Sequence, residues 1–193
     1  MSVFATIRQK GVPWIWQAPR WSDKMADASY DFLVKGSIPF MKQKGNTCWA
    51  ACGAMMHGWR NQMSTTLAAV VQYAGNPYID YLKKQKSIPL DEIDSFGYAM
   101  DMKRLASRSF SDYQIFNLMS SRGTPLMICI RQKGATGHHF YVVTRMYTDE
   151  DGGWNVLLND PNRSEGDTAY FFDDLYEEME RAASGVDKQI LYY

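Results

Sequence analysis

The feature that most constrains the fold of this chain is a change of pattern near its middle, from helical signals to strand signals. Helical patterns with capping and stop residues occupy the first half at residues 46–60, 64–74, 78–84 and 91–105. Runs rich in β-branched and aromatic residues follow at residues 126–130, 139–144, 154–158 and 168–172. A helical half followed by an antiparallel sheet half predicts an α+β fold.

Capping residues give several helices their predicted starts. Asn46 or Thr47 can cap the first helix, and the run that follows is rich in Ala and Met. For the second helix, Ser64 or Thr65 is available as the N-cap. Cys48 is therefore expected at the N-terminal end of the first helix.

The capping pattern continues in the second half of the chain. Ser111 and Gln114 form a capping box that predicts a helix ending at a glycine, just before the first strand run. Asp174 and Glu177 can cap a last helix near residues 175–183. The final residues, QILYY, predict a strand at the edge of the sheet.

The length of 193 residues fits one domain of ordinary size preceded by an extension. Residues 1–36 carry Trp14, Trp16 and Trp21 among prolines and charges, without the period of a helix or a strand. We expect this extension to be a strap packed on the domain surface, with a partner-binding or secretion-related segment as the alternative. The domain itself is predicted to span residues 37–193.

Charge and hydropathy exclude several classes of partner. Lys plus Arg equals Asp plus Glu, at 21 each, so no overall charge draws the chain to nucleic acid or to an anionic membrane. No apolar run approaches the length of a membrane span, which predicts a soluble protein. The only apolar run near the N-terminus, from Val3 to Ile7, is too short for the core of a secretory signal peptide.

The chain has three cysteines, at Cys48, Cys52 and Cys129, which is too few for the disulfide framework of a small secreted domain. Free thiols are therefore expected, and a working thiolate would survive best in a reducing cytosol. Cys52 and Cys129 lie in apolar surroundings and are expected in the core. A zinc site built from Cys48, Cys52, His57 and a strand histidine would lack the short paired ligand spacings of structural zinc.

A thiol at the start of a helix can serve as a nucleophile, because the unpaired N–H groups and the helix dipole favour the thiolate. Such a nucleophile needs an imidazole to accept and return the proton, and a third group to orient the ring. Of the three histidines, His57 lies nine residues on in the same predicted helix, too far along the axis to reach Cys48. His138 and His139 remain, and since adjacent strand residues face opposite ways, only one of them can address the thiol.

These residues resemble a known family. Gln43 with GNTCWAA, then GHHFYVVT, then a strand ending in NDP, resemble the papain-like cysteine proteases of bacteria. That family includes the peptidase domains that trim bacteriocin leaders and the protease effectors delivered by plant pathogens. The resemblance spans roughly residues 38–174 and implies the papain-like fold, with the nucleophile helix in the helical half and the His and Asp in the sheet half.

The resemblance also assigns roles. It implies Cys48 as nucleophile and His139 as base, because the family's histidine is followed by an aromatic residue, β-formers and Thr. It implies Asp160, which stands before a proline, as the orienting group. Asn159 remains a rival on the opposite face of the strand. The amide of Gln43 is implied to donate to the oxyanion.

Two neighbours of these residues, Trp49 and His138, are candidate cleft residues, for which packing at the helix start and a place in the cleft wall are the simpler roles. The chain departs from the family in two details. Gln43 precedes Cys48 by five positions, one fewer than in papain, and Arg145 stands where the family has Gly after the strand.

The function expected from the resemblance is that of a cysteine endopeptidase without cofactor or metal, acting as a bacterial effector or toxin on proteins in a target cell. It would be made in a bacterial cytoplasm, be exported by a specialised secretion system, act in the target-cell cytosol, and have a cognate inhibitor or immunity protein as a second partner. The same triad can deamidate or transamidate glutamine, or act as a peptidoglycan amidase, since water or an amine can resolve the acyl-enzyme. A pseudoprotease binding module is the non-enzyme alternative.

Overall fold

A computed structural model describes residues 29–105, 109–183 and 190–193. The helices are α1 (Cys48–Asn61), α2 (Leu67–Ala74), α3 (Tyr78–Lys83), α4 (Ile93–Ala99), α5 (Asp112–Arg122) and α6 (Phe172–Ala183), with a 3-10 turn at Leu90–Glu92. The strands are β1 (Asp31–Leu33), β2 (Lys103–Arg104), β3 (Leu126–Ile130), β4 (His139–Thr148), β5 (Trp154–Asn159), β6 (Thr168–Phe171) and β7 (Ile190–Tyr192). The predicted α+β arrangement, helices first and sheet second, is confirmed.

The strands form one antiparallel sheet in the order β2-β7-β3-β4-β5-β6. The ten-residue strand β4 lies at its centre and has two partners along one side. β3 pairs with residues 139–143 of β4, and β1 pairs with residues 145–147. A register shift against β5 falls between Val143 and Arg145, at the change of partner.

The sheet separates two apolar layers because neighbouring strand residues point to opposite faces. Phe140 and Val142 of β4 belong to the layer that contains α1 to α4. Tyr141 and Val143 belong to the layer that contains residues of α5 and α6. Most of α1 is buried, which explains why this helix is rich in Ala, Met and Gly rather than amphipathic.

The fourth predicted helix, over residues 91–105, is wrong in its second half. α4 ends at Ala99, and Asp101 adopts a left-handed conformation with φ 56° that stops the helix. The chain then turns into β2, which pairs with β7. The C-terminal strand is therefore not an edge strand, because β2 covers its outer side.

Helix starts agree with the sequence in part. The capping box of Ser111 and Gln114 at α5 is confirmed. Thr47 occupies the N-cap position of α1 without a side-chain cap, whereas α2 is capped by Thr66, later than predicted. α6 begins at Phe172, before the predicted cap, because the chain passes from β6 into the helix without a loop.

Within the described ranges, no helix combines the length and apolarity needed to cross a membrane. Trp14, Trp16 and Trp21 of the N-terminal extension lie outside the described residues, so the expected role of that segment stays a prediction. Part of that extension is described: β1 pairs with β4, and Arg145 donates two hydrogen bonds to the Asp31 carboxylate at 2.8 and 2.6 Å. Arg145, where the family has Gly, thus anchors β1. The boundary at residue 36 stays a prediction.

Candidate active site

Cys48 is the first residue of the buried helix α1, as predicted. The preceding loop is closed by Thr47, whose hydroxyl donates to the Lys44 carbonyl at 2.8 Å and accepts from the Lys44 N–H at 3.1 Å. Thr47 is fully buried, so this loop delivers the chain to the helix in one fixed direction. Cys48 itself is 4% exposed, at the helix end where the N–H groups lack partners within the helix.

His139 and Asp160 come together because their strands are neighbours in the sheet. His139 begins β4, and Asp160 follows the last residue of β5. Asn159 is the Cα partner of Val142, so by strand alternation Asp160 lies on the same side of the sheet as His139. The Nε2 atom of His139 is 2.7 Å from Oδ1 of Asp160.

The imidazole of His139 also forms a hydrogen bond with Cys48. Because Nε2 is engaged by Asp160, Nδ1 is the ring nitrogen left for the sulfur. Burial favours the neutral ring, but the hydrogen bonds and charges of Asp160 and Cys48 outweigh it and raise the pKa of His139 to about 9. The site thus favours a protonated imidazolium next to the thiol at neutral pH.

Asp160 is held by a tight turn around Pro161. Burial opposes its ionised form, but the hydrogen bonds from His139 and from the Asn162 N–H at 2.9 Å lower the pKa of the carboxyl below its usual value. Arg163 lies 3.7 Å from the second carboxylate oxygen. Both oxygens therefore have partners, and the carboxylate stays ionised and fixed toward the ring.

The backbone of Gln43 is bonded to the same turn, since its N–H donates to the Pro161 carbonyl at 2.8 Å. Its side-chain Nε2 donates to the Gly45 carbonyl at 2.8 Å. A side-chain amide has two N–H groups, so this bond fixes the amide and leaves a second hydrogen for another acceptor. The segment before Cys48 and the turn after β5 are thereby joined, although they are distant in sequence.

The two candidate cleft residues differ in their surroundings. Trp49 is 0% exposed, its Nε1 donates to the Lys86 carbonyl, and its ring packs on Tyr78 and Phe96, so it forms core beneath the helix start and lines no cleft. His138 is part-buried and lines a surface depression next to His139. The rival Asn159 accepts a hydrogen bond from the Asp167 N–H and takes no part in the His139 contact.

The remaining thiols are core residues, as predicted. Cys52 and Cys129 are buried, and burial raises the pKa of each thiol. Cys52 donates to the Phe140 carbonyl at 3.3 Å, which ties α1 to β4. His57 contacts Tyr73. Among residues 29–105, 109–183 and 190–193, no group of three or more His, Cys, Asp or Glu side chains could hold a metal ion.

One neighbour of the site was missed by the sequence reasoning. The ring of Tyr141 lies 5.0 Å from the His139 ring in an edge-on contact, and its hydroxyl accepts from Nε2 of Gln132 at 3.0 Å. Its position two residues after His139 in a strand was the available signal, because such residues share a face. Tyr141 thus forms a wall for the imidazole.

Comparison with known proteins agrees with this geometry. A family model described as the papain-like cysteine protease AvrRpt2 matches residues 32–175, which is more than half of the chain. No curated protein matches the chain at a significant level. Together with a buried helix that begins at a cysteine and a sheet that carries a His–Asp pair, the match identifies the chain as a cysteine protease, a hydrolase, that belongs to the papain-like family of AvrRpt2.

Proposed function

We propose that Cys48, His139 and Asp160 are the catalytic triad of this protease and that Gln43 completes its oxyanion hole. The observation that carries this assignment is the continuous contact from the sulfur of Cys48 through the His139 ring to the Asp160 carboxylate. No other described cysteine lies at a helix start, and no other described histidine contacts a carboxylate at hydrogen-bond distance.

The proposed reaction uses each of these groups. The Cys48 thiolate attacks the scissile carbonyl carbon, and the new oxyanion accepts hydrogen bonds from the Gln43 amide and the Cys48 N–H. The His139 imidazolium donates its proton to the leaving amine, the C–N bond breaks, and an acyl-enzyme remains. Water then attacks the thioester carbonyl carbon while the neutral His139 ring accepts its proton, the C–S bond breaks, and the acid leaves with Cys48 restored as the thiolate and His139 as the imidazolium. Asp160 holds the ring and stabilises its charged form throughout.

We further propose that the enzyme is an effector or toxin that cuts proteins in the cytosol of a target cell, which it reaches through a specialised secretion system. Free cysteines support action in reducing surroundings, since Cys48, Cys52 and Cys129 are all unpaired. A producer would need an inhibitor that covers the cleft, so we propose a cognate immunity protein as its second partner.

The test compares the proteomes of cells that express the wild-type chain, Cys48→Ala or Cys52→Ala. Cys52→Ala is the matched control because this buried cysteine lies one turn further along α1. New protein N-termini should appear with the wild type and with Cys52→Ala, and disappear with Cys48→Ala. Mass increases of about one dalton at glutamines, without new N-termini, would show deamidation instead and overturn the endopeptidase proposal.

A further inference from the structure

His138, next to the proposed catalytic histidine, has a defined partner at Nε2. The Nη2 atom of Arg131 lies 2.9 Å from this nitrogen. A guanidinium donates hydrogen bonds and accepts none, so Nε2 must be the unprotonated, accepting nitrogen of the ring. His138 is thereby fixed in the tautomer that carries its proton on Nδ1.

The other side of the His138 ring reaches the last turn of α6. His138 forms a hydrogen bond with the backbone of Ala182, and in this tautomer Nδ1–H donates to the carbonyl. Burial and the charge of Arg131 lower the pKa of His138, which keeps the ring neutral as this arrangement requires. Both nitrogens are therefore engaged, one with the end of β3 and one with α6.

The partners of His138 are themselves held in place. The Arg131 N–H donates to the Glu178 carbonyl at 2.9 Å, and Nε of Arg181 donates to the Arg131 carbonyl at 3.2 Å. The residue after β3 is thus bonded to α6 through its backbone in both directions. Arg131 and Ala182 form a rigid frame, and the His138 ring spans it.

The loop that leads into β4 offers little other support. Residues 132–137 are all exposed, and a Cβ added at Gly134 or Gly137 would meet no atom within 4 Å. His139 follows directly, and its ring must be held within about 0.5 Å of the geometry that is productive for proton transfer with the thiol. Gln132 ties the beginning of the loop to Tyr141, and His138 is the side chain that ties its other end, next to His139, to Arg131 and α6.

We propose that His138 is a positioning residue: by bridging Arg131 and Ala182, it fixes the start of β4 and so holds the His139 ring between Cys48 and Asp160. This inference rests on the proposed catalytic role of His139. It assigns His138 a structural link to α6 instead of a contact with substrate.

The test uses His138→Phe, which keeps a flat ring without donor or acceptor, and His138→Gln, which restores one of each. The first readout is the rate at which iodoacetamide alkylates Cys48 at about pH 6, which needs no protein substrate. The second is the split between kcat and KM on a peptide that spans a cleavage site found in the proteome comparison. Far-UV circular dichroism and thermal unfolding check that each variant is folded.

We expect His138→Phe to lower the alkylation rate and kcat about tenfold or more, with KM changed less than twofold. His138→Gln should recover both to within about threefold of the wild type. Arg131→Met removes the partner from the other side, should cause a similar loss, and should add little when combined with His138→Phe. His57→Phe is the control, because it removes a histidine from α1 that has no contact with the proposed triad. It should leave both rates unchanged.

Wild-type alkylation and kcat in His138→Phe would overturn the proposal, as would a change confined to KM, which would indicate substrate contact. Failure of His138→Gln to improve on His138→Phe would overturn it too. If His138→Phe does not fold, Arg131→Met decides by the same two readouts. If the wild type cleaves no peptide, the proposed function fails, whereas the alkylation rates still decide whether His138 positions the ring.

Discussion

The pKa of His139 is set by burial on one side and by Asp160 and Cys48 on the other, and this balance determines how the activity should respond to pH. Burial favours the neutral ring, while Asp160 and Cys48 favour the charged ring and prevail, which gives a pKa of about 9. A thiolate–imidazolium pair needs that proton for transfer to the leaving amine. Activity that depends on the pair should therefore persist through neutral pH and fall as the ring loses its proton.

Asp160→Asn should move the alkaline limb of the activity profile to lower pH. The variant keeps a hydrogen-bond acceptor for Nε2 but removes the negative charge that helps raise the pKa of His139. We expect the wild-type rate of peptide cleavage to fall through about pH 9, and that of Asp160→Asn to fall earlier. Asp94→Asn, on α4, serves as the control. An unchanged alkaline limb in Asp160→Asn would contradict the coupling.

Gln43→Ala should lower kcat by about 10²- to 10³-fold, the usual cost of losing one oxyanion-hole donor. The amide is fixed by the Gly45 carbonyl and still has one hydrogen to donate. KM should change little, because the charge on the oxygen develops in the transition state. Steady-state kinetics on a cleaved peptide measure both parameters. A rise in KM at constant kcat would show that Gln43 binds substrate rather than the oxyanion.

At the scale of elements, α1 is placed so closely against its neighbours that one added methyl group should be felt. A Cβ at Gly53 would lie 2.7 Å from Cζ of Phe96. That ring has no room to move, because it is fully buried and packs against Trp49 and Tyr78, each with ring centroids 5.2 Å away. Close packing here explains why glycine, a poor helix former, occupies the middle of α1.

Gly53→Ala should lower the free energy of unfolding by about 1–3 kcal/mol, because overpacking outweighs the better helix propensity of Ala. Urea unfolding measures the change. Gly137→Ala is the matched control, since its Cβ would meet no atom within 4 Å, and its effect should stay within about 0.5 kcal/mol. Adding Phe96→Leu to Gly53→Ala should restore part of the loss, and further loss in the double variant would argue against this clash.

Local patterns were enough to predict the elements that carry the site. They indicated a helix start at Cys48, a strand start at the two histidines and a strand end before Pro161, and the family resemblance then singled out His139 and Asp160. What sequence could not reveal depends on contacts between distant segments. β2 exists because Lys103 and Arg104 pair with the C-terminal strand, and no local sequence pattern predicts such a pairing.

Contacts between distant segments also explain why the surroundings of Trp49 and His138 could not be predicted from the sequence. Trp49 directly follows Cys48, yet its orientation depends on Tyr78 and Phe96 from two other helices. His138 owes its partners to β3 and α6, which local reasoning about a strand start does not bring together.

At the scale of the whole molecule, the His139–Asp160 pair links stability to pH. The folded-state pKa of His139, about 9, lies above its ordinary value of 6.5, so its contribution is fully present below 6.5 and lost as pH rises through about 9. The folded-state pKa of Asp160 is lowered from 3.8, so its contribution is present above 3.8 and lost as pH falls through the lowered value. Both contributions are present between about pH 4 and 6.5.

His139→Gln should therefore destabilise the protein more at about pH 6 than at about pH 10, where the wild-type ring is neutral as well. Urea unfolding of both proteins at the two pH values measures the difference. His57→Gln is the control. Burial and the charge of Arg60 lower the pKa of His57, so the destabilisation caused by this variant should not become smaller between about pH 6 and about pH 10. An equal effect of His139→Gln at both pH values would contradict the raised pKa.

The pairing of β1 with β4, two segments far apart in the sequence, has a further consequence for the time at which the proposed triad can assemble. Asp31 bonds Arg145 across 114 residues, and the site joins Gln43, near the start of the domain, to the turn at Pro161. Contacts so distant in sequence form late, because the intervening chain must first be present and ordered. A growing or unfolded chain thus contains Cys48 long before His139 and Asp160 are in place, and the proposed nucleophile stays an ordinary thiol until most of the domain has been synthesised.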